Sequence, residues 1–163
     1  MFNLLMGSID DWQSGRERVS LSRLFEYTEE HLKTKFQKSN DILWHELTAI
    51  PCLFMQEGVH DQVAYIGHIH RARVAGNEVA IEFTLDRDVP PLRNSMIYAR
   101  RADLSMPKDF EFSRNHWAVK EVDLYRFLLN NVRPRRQLPR VFQIPEHEAI
   151  DPVLVSVMMP FDL

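Results

Sequence analysis

At 163 residues the chain holds one ordinary domain with an arm or tail to spare. Its 45% hydrophobic and 26% charged content is that of a soluble globular protein, and the net charge of -3 gives no overall pull towards nucleic acid or acidic membranes, though it leaves room for a local basic face. The single cysteine excludes an internal disulfide; the start, MFNLLMGSIDDW, lacks the basic region of a secretory leader, and no apolar run approaches the ~20 residues that span a bilayer, so a cytoplasmic protein without membrane contact is predicted.

Residues 1–19 show no sustained period and read as an N-terminal arm, with Phe2, Leu4, Leu5 and Met6 available to pack on the body or a partner. From Ser20 the spacing of Leu21, Leu24, Phe25, Leu32 and Phe36 predicts one amphipathic helix or two short ones, with acids ahead of bases as the helix dipole favours. A second helical segment runs from Ile42 to Pro51, and Cys52–Met55 reads as a short buried strand whose cysteine is an inert thiol.

The clearest signal lies between Val63 and Leu85. Val79, Ile81, Phe83 and Leu85 alternate with Glu78, Glu82 and Thr84, the period of a half-buried strand. Ala75-Gly76-Asn77 supplies a turn, and the branched and aromatic run before it supplies the partner strand, so a hairpin is predicted, with Gly67 as a candidate bulge or close backbone approach. Pro90-Pro91 then forces a loop, and Leu92–Leu104 regains helical spacing. Phe110 and Phe112 suggest a short edge strand or extended turn, and a helix is predicted from about Val119 to Leu129.

The expected fold is α+β: a small antiparallel sheet of SH3-like kind around residues 63–85 with flanking helices, in a body spanning 20–131. Residues 132–152, with Arg133, Arg135, Arg136, Arg140 and four prolines, read as a linker. Beyond it, 153–163 begins with an apolar run suited to a strand buried on both faces. Such a strand needs neighbours, so a second domain is expected to start here.

Several clusters are candidates for chemistry. His68 and His70, two apart on a strand, share one face, with His60 and Glu57 near in sequence; a metal site is conceivable, but no further ligand spacing completes one, and partly exposed strand histidines are the simpler reading. Arg71 and Arg73 share the opposite face and make a small basic strip, either a solvated edge or a binding surface. Arg114, His116 and Trp117 form the densest polar–aromatic cluster, either a ligand pocket or a core tryptophan whose indole N–H needs one partner. Arg133, Arg135 and Arg136 could meet phosphates. No nucleophile elbow or glycine-rich phosphate loop is present, and the chain has only 5 glycines. No catalytic residues, metal or cofactor are therefore expected in this chain.

Three resemblances add to this. The stretch VLVSVMMPFD resembles the opening of bacterial nucleotide-binding domains related to TIR domains and nucleoside deoxyribosyltransferases, where a buried first strand ends in a Met-Pro-Phe turn. The resemblance implies that Met159, Pro160 and Phe161 begin a ligand-side turn, and that an effector of a kind found in antiphage defence follows, one that cleaves or binds NAD or another nucleotide. The body, through Asn115–Leu124 (NHWAVKEVDL), looks like uncharacterised bacterial N-terminal regions to which no activity attaches. The hairpin resembles the strands of SH3-like or Tudor-like barrels, which bind peptides or nucleic acids in exposed grooves. The implied role is a non-catalytic sensor or assembly domain. Its partners would be its own C-terminal effector, further copies of itself, and a phage-derived or nucleotide signal. The alternatives are a nucleic-acid-binding module using Arg71, Arg73, Arg133, Arg135 and Arg136, and a small metal-dependent hydrolase using His68 and His70.

Overall fold

The computed structural model describes residues 1–7, 12–39 and 41–132. The expected linker and second-domain strand, with Arg133, Arg135, Arg136, Met159, Pro160 and Phe161, lie outside the described residues.

The fold is α+β, as the sequence predicts. In chain order the elements are β1 (Phe2–Gly7), β2 (Arg16–Ser20), α1 (Glu30–Phe36), β3 (Gln37–Lys38), β4 (Asp41–Ile42), α2 (Trp44–Thr48), β5 (Cys52–Gln56), β6 (Val63–Ala75), β7 (Glu78–Leu85), β8 (Leu92–Arg93), α3 (Asn94–Ala99), β9 (His116–Lys120) and α4 (Leu124–Asn131). The predicted hairpin is β6–β7, within a larger sheet ordered β2-β7-β6-β5-β1-β9, with β8 paired to the start of β6. Its strands are antiparallel neighbours except β1 and β5, which run parallel.

The two ends of this sheet, β2 on one side and β1 with β9 on the other, come from segments the sequence reading placed elsewhere. The segment expected as an arm supplies β1 and β2, and β1 sits between β5 and β9 with every residue buried. Its lack of alternation follows from burial on both faces, which removes the polar half of the pattern. The same reason explains β9, whose residues are all buried and were read as leading into the helix; that helix begins only at Leu124, capped by the Asp123 carboxylate accepting from Arg126 N–H at 3.1 Å. Residues 109–113 form a 3-10 turn rather than an extended segment. The helix expected from Ser20 resolves into a 3-10 turn, Leu21–Arg23, and α1; between them Phe25 and Tyr27 take left-handed backbone (φ 63 and 58), which no continuous helix permits.

Two cores result, one on each face. On one face α3, α4 and the 3-10 turns at 101–104 and 109–113 bring Ile97, Leu104, Phe112, Leu124 and Phe127 onto Phe2, Leu4, Leu53 and Ile66. On the other, α1 and α2 place Leu32, Phe36 and Leu47 over Leu5, Phe54, Ile81 and Trp117. Each such large apolar side chain removed from water contributes roughly 1.5–3 kcal/mol. The sheet curls about this second core: Leu24, just past β2, bridges Trp117 of β9, and Phe25 N–H donates to the Trp117 carbonyl at 2.7 Å. No helix among the described residues is long and apolar enough to cross a membrane.

Gly67 and the bulge separate in the structure. Gly67 is a close approach: a Cβ there would lie 2.1 Å from the Thr84 carbonyl oxygen. The register shift falls three residues later. Ile69 lies opposite Phe83, and Arg71 opposite Glu82, so His70 is the extra residue.

Candidate recognition surface

That one extra residue decides where the arginines point. In an unbroken strand Arg71 would share the face of Ile69, which is the core. The bulge turns it over, so Arg71 and Arg73 stand opposite Glu82 and Ala80, on the face of Thr84 and His68. This corrects the expectation that the arginines and histidines occupy opposite faces. Across the sheet, β2 adds a matching pair, Arg16 opposite Glu82 and Arg18 opposite Ala80.

The result is a lattice of two rungs over three strands: Arg16–Glu82–Arg71 and Arg18–Ala80–Arg73. Directly paired side chains on one sheet face sit about 5 Å apart at Cβ. All four arginines are exposed, and the small Ala80 leaves a shallow groove of about 480 Å³ between them. Arg18 pairs with Glu78 at 3.3 Å, while Arg16, Arg71 and Arg73 form no ion pair within 4 Å among the described residues. Four guanidinium groups against Glu82 and Glu78 leave a positive excess on an exposed sheet face, in a chain whose net charge is negative. Arg16 and Arg18 went unnoticed in the sequence. The alternation Arg16-Glu17-Arg18-Val19 is the signal that could have found them. Glu17, on the opposite side from the arginines, is pushed up from its ordinary value by burial, with Glu78 adding to it.

One residue further along β2 and β7 is a cavity of about 560 Å³, walled by Trp12, Tyr65 and Phe83 with Gly15, Asp86 and Arg87 at its margin. Trp12 is buried with its ring 5.8 Å from Phe83 and 5.4 Å from Phe54, and its indole N–H has no hydrogen-bond partner among the described residues.

The other predicted site residues divide. Trp117 is a core residue, wholly buried, donating its indole N–H to Asn3 Oδ1 at 2.9 Å. Arg114 Nε donates to Glu26 Oε1 at 2.6 Å, and Arg23 holds the other oxygen at 3.1 Å. His116 is buried, and its Nδ1 lies 2.6 Å from the Arg114 carbonyl, which only accepts, so Nδ1 carries a proton. His68 Nε2 meets the Tyr125 hydroxyl at 3.1 Å and His70 Nε2 the Thr84 hydroxyl at 2.7 Å. No group of three or more His, Cys, Asp or Glu among the described residues is arranged to hold a metal ion.

A buried cluster that the sequence reading missed surrounds His116. Glu111, His116 and Lys120 are 1%, 0% and 4% exposed. Lys120 Nζ is ion-paired with Glu111 Oε1 and donates to the Tyr27 carbonyl at 3.1 Å; His116 Nε2 stands 3.7 Å from the same carboxylate and makes no hydrogen bond among the described residues. Burial pushes the Lys120 ammonium below its ordinary value of 10.5, with the Lys108 charge assisting and Glu111 opposing.

Comparison with known proteins gives no match: no family model, no curated protein and no solved structure corresponds to this chain.

Proposed function

We propose that this chain is a non-catalytic recognition domain that binds the phosphate backbone of a nucleic acid through Arg16, Arg18, Arg71 and Arg73, in the cytoplasm. It would relay that signal to an effector carried further along the same polypeptide. The observation that carries the reading is the two-rung lattice. Guanidinium groups present fixed forks of N–H donors that match phosphate oxygens two at a time, and among the described residues three of these four pair with no carboxylate. Rows of cations on a sheet face suit a polymer with regularly spaced charges better than a single small anion.

The sensor role rests on the likeness of VLVSVMMPFD to TIR-like nucleotide-binding domains. A bacterial antiphage protein in which foreign nucleic acid releases or assembles a NAD- or nucleotide-processing effector fits both features. The test is binding of fluorescently labelled single- and double-stranded oligonucleotides, followed by anisotropy between about 50 and 200 mM salt. The reading expects affinity that falls steeply with salt and is lost in the Arg71→Ala/Arg73→Ala double variant. Absence of binding at low salt, or binding indifferent to the double variant, overturns it.

A further inference from the structure

The Lys120 cluster is separate from the arginine lattice and has an opening of its own. It borders a cavity of about 270 Å³ whose lining includes Tyr27, Ser105, Lys108, Glu111 and Lys120, with the Glu29 carboxylate also on its wall. That is smaller than the roughly 300–1,000 Å³ of pockets for drug-sized ligands, so it suits a molecule of a few carbons. Two lining residues, Tyr27 and Ser105, hold left-handed backbone (φ 58 and 56), which disfavours any residue with a Cβ. Strain of this kind persists where surrounding structure enforces it, and it gathers at ligand sites.

We propose that Lys120 is a nucleophilic amine that captures a small carbonyl compound bearing a carboxylate, an aldehyde acid or 2-oxo acid, as an imine, with Lys108 holding the carboxylate. The parts for this chemistry are in place. Desolvation is the largest influence and, with a second lysine nearby, favours the neutral amine that attacks carbonyls, outweighing the opposing pull of Glu111 and Glu29. Glu111, touching Lys120 Nζ, is placed to take a proton from the ammonium. The nitrogen lone pair then forms a C–N bond as the carbonyl π pair moves to oxygen, and that oxygen takes one proton from the newly bonded nitrogen to give the carbinolamine. The carbinolamine hydroxyl leaves as water with the proton Glu111 returns. One ammonium and one carbonyl give one iminium and one water, and no oxidant or reductant is required. Lys108 Nζ sits 5.7 Å from the Tyr27 ring at the cavity wall, where it can meet an acid group without displacing the ion pair below.

The probe is glyoxylate with cyanoborohydride at neutral pH on the intact chain, followed by peptide mapping. Lys120 is expected to be labelled several-fold faster than Lys33, Lys35 and Lys38, which serve as internal references in the same sample. Lys108→Ala should slow labelling by glyoxylate while leaving labelling by an uncharged aldehyde of similar size unchanged. Labelling confined to the reference lysines, or Lys120 reacting no faster than they do, overturns the proposal. Because the unsubstituted chain decides the first point, a variant that fails to fold does not rescue the idea. This inference stands whether or not the chain binds nucleic acid.

Discussion

Trp117 and Asn3, 114 residues apart, share a buried hydrogen bond of 2.9 Å between indole N–H and side-chain carbonyl, and the other end of the same amide donates to the Leu47 carbonyl at 2.8 Å. One asparagine in the middle of the sheet thus satisfies β9 on one side and the end of α2 on the other. Asn3→Leu keeps the volume but leaves a buried donor and a buried acceptor without partners. Each orphaned group costs about 1–3 kcal/mol, so a loss of about 2–6 kcal/mol is expected. A urea titration checks this: the midpoint should fall while the slope stays unchanged.

Gly67 offers a contrast with Gly76. A Cβ at Gly67 would collide with the Thr84 carbonyl at 2.1 Å, a backbone atom that cannot yield without parting β6 from β7. Gly67→Ala is expected to cost about 3 kcal/mol or more, at the upper end of overpacking effects. At Gly76, φ is +67 and nothing lies within 4 Å, so Gly76→Asn should cost no more than about 1 kcal/mol. Thermal melting of both variants gives the comparison, and equal losses would contradict the close-approach account.

Cys52 tests burial through pH. It is fully enclosed, and desolvation holds its thiol well above the ordinary value of 9.0. Above pH 9 the unfolded chain releases this proton while the folded chain keeps it, so the folded state binds more protons and stability falls as pH rises. The decrement is at most about 1.4 kcal/mol per pH unit, and it vanishes below the unfolded pKa. Cys52→Ala lacks this term. Its stability should therefore gain on the parent protein between pH 8 and 10 by about 1–2 kcal/mol, with tyrosine and lysine contributions common to both. Parallel denaturant titrations at the two pH values measure the difference, and a constant gap would mean the thiol reaches water.

The elements legible in the sequence were those with a solvent side. β7 buries Val79, Ile81 and Phe83 and exposes Glu82 and Thr84, so its period survives in the chain. β1 and β9 have no solvent side, and with even Asn3, His116 and Lys120 buried their runs carry no apolar–polar period to read. The arginine surface was half legible for a related reason. Composition marked Arg71 and Arg73, but their face depends on the single extra residue at His70, and a bulge follows from pairing with β7 rather than from the local run. The Glu111–His116–Lys120 cluster was hidden more deeply, because it joins a 3-10 turn to the terminal strand β9, which was read as the approach to a helix and its first turn.

The lattice itself makes the sharpest prediction about binding, because its two rungs differ. Glu82 stands between Arg16 and Arg71, whereas Ala80 stands between Arg18 and Arg73. Glu82 opposes any phosphate approaching its rung, so Glu82→Gln should tighten oligonucleotide binding several-fold while keeping the shape of the face. Arg73→Ala should weaken binding and reduce the dependence on salt. If all four arginines contact single-stranded nucleic acid, log K is expected to fall against log salt with a slope of about 3, and each arginine removed lowers that slope by about 0.7. A general loss of affinity with an unchanged slope would instead point to a disturbed hairpin. Anisotropy titrations of the two variants across a salt series separate these outcomes, and a Glu82→Gln protein that binds no better than its parent would show that phosphate does not approach that rung.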